Sequence, residues 1–279
     1  MRIEDFDVYK DLLMEKSGLV LTPDKSYLLD SRLTPVAKKW GYESLDKMSA
    51  ALRGVADPGL IKDIVEAMTT NETSFFRDSR PFDIFRETII PHLQKIRGTQ
   101  KRVRIWCAAA SSGQEPYSLA MTIKEHGGLA GWNIEIIATD ISTDILDLAK
   151  AGVYSQFEVQ RGMPITMLMK YFEQKDEKWH IKDEIKHMVQ YKYFNLLDSM
   201  AGLGRFDVVF CRNVLIYFDK ETKGKVLQKI KAQLAPDGHL FLGGAETVIG
   251  ISDAFVPAPD LRGVYLPAEA AQAKAASAS

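Results

Sequence analysis

The chain has few cysteines and no histidine cluster. Only two of its 279 residues are cysteine, Cys107 and Cys211, and they form neither a CxxC pair nor a zinc-binding pattern. A disulfide framework is therefore not expected, and the reducing cytoplasm is the expected compartment. The five histidines are scattered without HExxH-type spacing, so we expect no metal site built on histidine.

The sequence also lacks the marks of membrane and nucleic-acid-binding proteins. No run of about 18 apolar residues occurs, so no membrane-spanning segment is expected. The first ten residues are acidic and lack the apolar core of a signal peptide. A formal net charge of −1 provides no extended basic surface for nucleic acid. With 46% apolar and 26% charged residues, the chain has the composition of a globular protein of one or two domains.

Residues 1–70 predict a domain of short helices. Phe6, Tyr9 and Leu13 recur at helical spacing, and later groups of apolar residues repeat that spacing. The Asp57-Pro58-Gly59 turn separates two of these helices and is a good helix start, because proline is tolerated in the first turn. No alternation typical of a strand occurs here. The segment 71–80 follows as a junction.

Strands and helices alternate after residue 81. Apolar strands are predicted at 103–107, 134–138, 206–211 and 239–242. Helices are predicted at 115–125, 142–150 and 220–234, with Ser142 as the N-cap of the second. This alternation predicts an α/β domain over 81–267, with a parallel sheet covered by helices on both faces.

Two stretches depart from this alternation. Residues 152–193 predict an inserted β subdomain, in which 179–181 and 185–193 are expected to pair with each other. The tail, 268–279, is rich in alanine and serine and is predicted to be disordered.

The loop after the first predicted strand suits a ligand, because ligands of open α/β sheets bind at the carboxyl ends of the strands. The loop has small residues but neither GxGxxG nor GxxxxGK[ST], the phosphate-binding patterns. Glu115, at the start of the next helix, favours a cation, or it merely complements the helix dipole. Asp140 ends the second strand, where an acid binds ribose hydroxyls, or it caps the next helix. Together they favour S-adenosylmethionine (SAM), a nucleoside with a sulfonium cation and no pyrophosphate.

Polar residues at two other strand ends and at the junction extend the candidate site. The segment 69–77 is polar apart from two phenylalanines that would anchor it, which suits a binding crevice or a linker with a capped helix start. Asn213 and Tyr217 follow the third predicted strand, and Asn195 follows another strand-like segment. An asparagine offers a donor and an acceptor to an adenine or amino-acid edge, or it serves as a turn residue.

Five motifs in a fixed order give the chain a resemblance to a known family. They are TTNETSFFRD, IWCAAASSGQEPYSLAM, ATDIS, FNLLD and FCRNVLIYFD. With them the chain resembles the CheR family of chemotaxis receptor methyltransferases, from the N-terminal helices to about Leu266. The resemblance implies a Rossmann-like class I methyltransferase domain with a small inserted β subdomain, preceded by an all-α domain. It also implies a cytoplasmic monomer that methylates glutamate side chains on chemoreceptor helices with SAM, leaving S-adenosylhomocysteine.

The resemblance further implies roles for individual residues. The implied cofactor contacts are Asn71, Thr73, Arg77, Glu115, Asp140, Asn195, Leu196, Asn213 and Val214. Arg77 and Tyr217 are the implied positioning residues at the reaction centre. A basic face on the second helix, comprising Arg32, Lys38 and Lys39, is the implied receptor contact. The turn 173–178 lacks the Gly-Pro-Gly-like loop of members that grip a receptor tail peptide, which argues against such tethering.

The chemistry expected of such an enzyme agrees with what the sequence lacks. A glutamate acceptor has a pKa of about 4.3 and is already ionised at pH 7, so no general base is required. Other classes stay open: a SAM-binding regulator without catalysis, and a methyltransferase acting on a small molecule or another protein carboxylate. The missing GxGxxG counts against a nicotinamide dehydrogenase.

Overall fold

A computed structural model of the protein describes residues 3–269. Its helices are α1 (Ile3–Ser17), α2 (Tyr27–Lys39), α3 (Leu45–Leu52), α4 (Pro58–Met68), α5 (Arg80–Ile84), α6 (Ile90–Arg97), α7 (Gln114–His126), α8 (Thr143–Ala151), α9 (Gln156–Gln160), α10 (Ile165–Tyr171), α11 (Asp183–Lys186) and α12 (Lys220–Gln233). Its strands are β1 (Arg102–Ala108), β2 (Asn133–Asp140), β3 (Val153–Ser155), β4 (Phe172–Lys175), β5 (Lys178–Ile181), β6 (Val189–Tyr193), β7 (Phe206–Cys211), β8 (Leu234–Leu242), β9 (Phe255–Pro257) and β10 (Val264–Pro267). A π-helical turn, Phe85–Ile89, joins α5 to α6, and 3₁₀ turns lie at Pro23–Lys25, Ala201–Leu203 and Leu215–Tyr217.

Helices α1 to α4 form an N-terminal unit around an apolar core of their own. The core contains the fully buried side chains of Leu13, Leu29 and Ile64. Helix α4 begins as predicted, with Asp57 accepting a hydrogen bond from the Gly59 N–H and Pro58 in the first turn. The prediction of an all-α N-terminal part is confirmed.

The main sheet has the strand order β6-β2-β1-β7-β8-β10-β9. The first five strands are parallel, whereas β10 runs antiparallel to both β8 and β9. The prediction of a parallel sheet is therefore wrong for this last edge. Strand β8 begins at Leu234, five residues before the predicted start of the fourth strand at 239. Helix α7 packs on one face of the sheet and α12 on the other, so both faces are covered as predicted.

Strand β1 lies at the point where the strand order reverses, with β2 on one side and β7 on the other. In open α/β sheets this reversal leaves a crevice at the carboxyl ends of the central strands, where ligands bind. The loops after β1, β2 and β7 are therefore the first place to look for a functional site.

The insertion differs from its prediction in one respect. Strand β5 lies between β3 and β4 in a separate antiparallel sheet, and it does not pair with the segment 185–193. Strand β6 instead pairs with β2 in the main sheet, in parallel. The short helix α11 covers the first two residues of the predicted strand 185–193 and buries Ile185, so the chain returns to the main sheet only at Val189.

The predicted disorder of the tail falls almost entirely on residues 270–279, which lie outside the described residues. No helix in the described part of the chain is long and apolar enough to span a membrane. Within residues 3–269, no group of three or more His, Cys, Asp and Glu side chains is arranged to hold a metal ion.

Candidate functional site

A cavity with about 1020 Å³ of empty space, open solvent at its mouth included, lies at the carboxyl ends of β1, β2 and β7. The sheet loops form one wall through Ala109, Asp140 and Arg212. The N-terminal unit supplies part of the opposite wall through Leu19 and Val65. The cavity is thus enclosed by both parts of the protein.

Asp140 ties three segments together beneath this cavity. Its Oδ2 accepts a hydrogen bond from the Ser111 N–H at 2.9 Å, and its Oδ1 accepts one from the Ser142 N–H at 3.0 Å. The Ser111 hydroxyl in turn donates to the Asn71 carbonyl at 2.8 Å. Ala109 and Ser111 have φ of 61° and 50°, so this loop makes its turn in left-handed backbone without glycine at those positions. Burial raises the pKa of Asp140, and the N–H donors oppose that rise.

A buried ion pair lies deeper in the cavity. The Arg212 Nη1 donates to Glu115 Oε2 at 2.8 Å, and the Arg212 Nη2 donates to Asp78 Oδ2 at 2.7 Å. Burial raises the pKa of the Glu115 carboxyl, and the Arg212 charge opposes the rise. Glu115 is therefore a carboxylate inside the cavity, not an exposed acid at a helix start.

The junction segment forms the rim of the cavity and is anchored by aromatic packing. Phe75 is fully buried and contacts the rings of Tyr154 and Phe172 in the insertion. The Arg77 Nη1 donates to the Glu72 carbonyl at 2.8 Å, which closes the loop between them. The prediction that phenylalanine anchors this segment is confirmed, and the segment lines a crevice.

The loop after β7 is shaped by one carboxylate, Glu246. Its Oε2 accepts the N–H groups of Asn213 at 2.8 Å and Gly243 at 2.7 Å, and its Oε1 accepts those of Val214 at 3.0 Å and Ile216 at 3.3 Å. Asn213 has a φ of 58°, a left-handed conformation that asparagine tolerates better than most residues. Glu246 itself does not line the cavity; it holds the backbone that does.

The N-terminal unit is joined to this site by hydrogen bonds. The Asn195 Nδ2 donates to the Lys16 carbonyl at 2.6 Å, and the Val20 N–H donates to the Tyr217 carbonyl at 2.9 Å. The Glu66 carboxylate accepts from the Thr143 N–H at 3.1 Å at the N-terminus of α8. These contacts fix the N-terminal helices against the loops that surround the cavity.

All ten residues predicted for the cofactor and the reaction centre line this one cavity. They are Asn71, Thr73, Arg77, Glu115, Asp140, Asn195, Leu196, Asn213, Val214 and Tyr217. The predicted receptor-contact residues on α2 lie elsewhere. Arg32 donates to the Met68 and Thr69 carbonyls at 2.8 Å each, Lys39 pairs with Asp63 at 2.7 Å, and Lys38 is exposed.

Sequence reasoning missed Arg212 and Glu246 as parts of the site. Arg212 stood inside a recognised motif, but nothing in the spacing showed that its charge would be buried against Glu115. Glu246 lies 33 residues beyond Asn213 in sequence, and no local pattern connects the two. Ser142, in contrast, caps α8 through the Ile145 N–H at 3.3 Å, as predicted.

The cavity fits a nucleoside that carries a positive charge. Asp140 uses part of its acceptor capacity on backbone N–H groups, and a carboxylate has about four acceptor positions, so capacity remains for ribose hydroxyls. Ile141 and Val214 give apolar surface for a base, and Glu115 gives negative charge. Of the two arginines among the described lining residues, Arg212 is already bonded to Glu115 and Asp78, whereas Arg77 uses one donor on the Glu72 carbonyl.

Fold and cavity together define a Rossmann-like methyltransferase that binds SAM. A family model described as the SAM-binding domain of CheR methyltransferase matches residues 71–261, and one described as its all-alpha domain matches residues 4–69. The chain belongs to the CheR methyltransferase family. The predicted family, fold class and cofactor are confirmed.

Named relatives support the same assignment. The chain is 42% identical over 256 residues to chemotaxis protein methyltransferase 1 of Pseudomonas aeruginosa, which covers 90% of this chain and 93% of the relative. It is 40% identical over 256 residues to chemotaxis protein methyltransferase Cher2 of Pseudomonas putida, with the same two coverages. The similarity therefore extends over both the helical and the sheet-containing parts.

Proposed function

We propose that this methyltransferase esterifies glutamate side chains on the cytoplasmic helices of chemoreceptors. The observation that carries the proposal is a SAM-binding cavity with Arg77 on its rim and no histidine or cysteine among its described lining residues. A glutamate acceptor is ionised near pH 7, because its ordinary pKa is about 4.3, and needs no base to remove a proton. An amine or alcohol acceptor would need a base, and the three carboxylates of the described lining, Glu72, Glu115 and Asp140, already accept hydrogen bonds from arginine side chains or backbone N–H groups, which favours a carboxylate acceptor.

SAM supplies the methyl group from its sulfonium centre and leaves as S-adenosylhomocysteine. The protein binds and orients the cofactor and the acceptor. Asp140 holds the ribose hydroxyls, and Glu115 attracts the positive end of the cofactor. Asn213 and Val214 support the remaining parts of the cofactor, together with the junction residues Asn71 and Thr73 and the pair Asn195 and Leu196.

Arg77 and Tyr217 position the acceptor. The Arg77 guanidinium uses one donor on the Glu72 carbonyl and has others for an incoming carboxylate. Holding two bound reactants in a reactive geometry supplies up to about 7–11 kcal/mol of the barrier reduction. Because opposite charges are neutralised in the transition state, the enclosed cavity assists the step by excluding water.

The helical unit of residues 1–70 is the part we propose to dock the receptor, with Lys38 and Lys39 toward its acidic helices. Arg32 acts in this scheme as a brace, since its guanidinium binds the carbonyls that end α4. The enzyme works as a monomer in the cytoplasm, where the receptor's helical domain lies. In this proposal the helical domain ends near residue 70, and the methyltransferase domain begins near residue 80, after the junction segment.

The test uses methyl-labelled SAM, the full-length protein and receptor-containing membranes. Volatile label released by mild alkali is the expected result, because carboxyl methyl esters hydrolyse under these conditions. Alkali-stable label would identify another acceptor chemistry. No label, with SAM binding shown separately by calorimetry, would contradict the proposal and favour a non-catalytic SAM-binding regulator.

A further inference from the structure

The turn that carries Arg77 has an unusual backbone. Phe76, Asp78 and Ser79 have φ of 48°, 67° and 43°, so three non-glycine residues have a positive φ within four positions. Such residues persist only where surrounding contacts determine them. Arg77 lies in the middle of this turn, so whatever holds the turn also sets the position of its guanidinium.

One buried side chain reaches the turn from the end of β7. The Arg212 Nη2 donates to the Arg77 carbonyl at 3.1 Å and to Asp78 Oδ2 at 2.7 Å. The Nη1 of the same guanidinium donates to Glu115 Oε2 at 2.8 Å. With its side chain 1% exposed, Arg212 links the turn, the start of α7 and the end of β7.

These contacts require an arginine. A guanidinium is a rigid planar fork that donates in several fixed directions at once, whereas a lysine ammonium is a compact charge on a flexible stem. The Arg212 guanidinium also lies 5.9 Å from the centroid of the Phe82 ring, which limits its tilt. Its buried Nε has no hydrogen-bond partner in the described structure, a feature expected where position matters more than stability.

We propose that Arg212 is a positioning residue that holds the Arg77 turn against the cofactor cavity. The inference rests on the proposed function, because it assigns Arg212 a part in placing the acceptor. Arg212 acts through Arg77 and Glu115, and no contact between Arg212 and the acceptor is needed. If Arg212 formed only a structural ion pair, it would stabilise the fold without setting the position of the Arg77 guanidinium.

A double-mutant cycle on the full-length protein separates these two roles. Arg212→Lys keeps the charge beside Glu115 but cannot reach Glu115, Asp78 and the Arg77 carbonyl together. We expect it to lower kcat roughly tenfold to a hundredfold, since small misplacements of reacting groups have effects of this size. In an Arg77→Lys background it should lower kcat by less than about twofold, because coupled residues are not additive.

Arg97→Lys is the matched control. The Arg97 guanidinium also bridges two carboxylates, Asp207 at 2.8 Å and Asp237 at 2.9 Å, but at the opposite end of β7 from the cavity. This variant should lower the unfolding temperature and leave kcat unchanged. Equal losses from Arg212→Lys in both backgrounds, or wild-type kcat in the single variant, would overturn the proposal.

Hydrogen exchange gives a readout that does not depend on methyl transfer. The Phe76 N–H donates to the Ser118 hydroxyl at 3.0 Å and the Ser79 N–H to the Phe76 carbonyl at 2.8 Å, so both amides should exchange slowly in the wild type. Arg212→Lys should accelerate them, whereas Arg97→Lys should not. Unchanged exchange would overturn the proposal even if the receptor is methylated. Faster exchange without any methyl transfer would contradict only the proposed function.

Discussion

Asp140 combines burial with a proposed contact to the cofactor ribose. Because burial raises its pKa, this carboxyl takes up a proton at a higher pH than an ordinary aspartate, whose pKa is about 3.9. Only the ionised form offers all its oxygens as acceptors. SAM affinity should therefore fall on acidification while the pH is still above that ordinary value.

Asp140→Asn should weaken SAM binding and remove this part of its pH dependence. Hydrogen bonds to a charged group contribute about 1.5–3 kcal/mol, which corresponds to roughly a tenfold to hundredfold increase in Kd. Calorimetric titrations at several pH values measure both effects, with thermal unfolding as a check that the variant is folded. A variant with the wild-type Kd would refute the ribose contact.

Replacing Glu246 should also alter the cavity, because this carboxylate holds the backbone of the lining residues Asn213 and Val214. In Glu246→Gln, the amide nitrogen replaces one carboxylate oxygen and faces two N–H donors that then lose their acceptor. Each unsatisfied buried group costs about 1–3 kcal/mol, so both the unfolding free energy and SAM affinity should fall. Urea unfolding measures the free energy of unfolding, and calorimetry measures SAM affinity. The exposed Glu221→Gln is the control, and similar behaviour of the two variants would contradict the assignment.

A site residue could be predicted from the sequence when the pattern that marks it lies next to it in the chain. Glu115, Asp140 and Asn213 follow strands directly, and the carboxyl ends of parallel strands meet at one edge of a sheet. Arg212 and Glu246 act through partners far away in sequence. Only the folded arrangement shows which carboxylate faces which donor.

At the scale of elements, α4 and α8 connect the two parts of the protein through Glu66. Burial tends to raise the pKa of Glu66, but hydrogen bonds from Thr143, Ser142 and Asp144 outweigh it, and the net pKa is lowered. A lowered carboxyl pKa adds stability above the unfolded value of about 4.3, and that stability is lost as the pH falls through the folded pKa.

Glu66→Gln should therefore destabilise the protein at pH 7 by about 1–2 kcal/mol, the range for hydrogen bonds to a charged group near a helix N-terminus. The difference from the wild type should shrink as the pH falls from about 4.3 through the lower pKa of the folded state, below which the wild-type carboxyl is also neutral. Urea unfolding of both proteins at pH 7 and at a pH below the folded pKa of Glu66 measures this difference in stability. A difference that does not change with pH would contradict the charged contact.

Helices and strands that the periodicity of apolar residues defines were predicted well. The pairing partners of strands were predicted poorly. The alternation in 185–193 fits a strand equally well in a hairpin or at a sheet edge, so its partner, β2, could not be inferred. The antiparallel strands β9 and β10 are three and four residues long, too short to leave a clear pattern.

For the whole molecule, we propose that the helical unit is part of the cofactor site, because it lines the shared cavity. Binding of S-adenosylhomocysteine should slow amide exchange in the N-terminal segment 17–20 as well as in the loops after β1 and β7. It should also stabilise the chain by about 2.7 kcal/mol at a hundredfold excess over Kd. Hydrogen-exchange mass spectrometry with and without the ligand tests this. Protection confined to residues beyond 71 would show that the helical unit takes no part.

The central claim is that glutamate carboxylates of a receptor are the methyl acceptors. The most direct measurement is tandem mass spectrometry of receptor peptides after incubation with SAM and either the wild type or Arg77→Lys. We predict that receptor glutamates gain the mass of one CH₂ with the wild type, and far less with the variant. Methylation on lysine or another side chain, or none on a receptor that the wild type binds, would contradict the account.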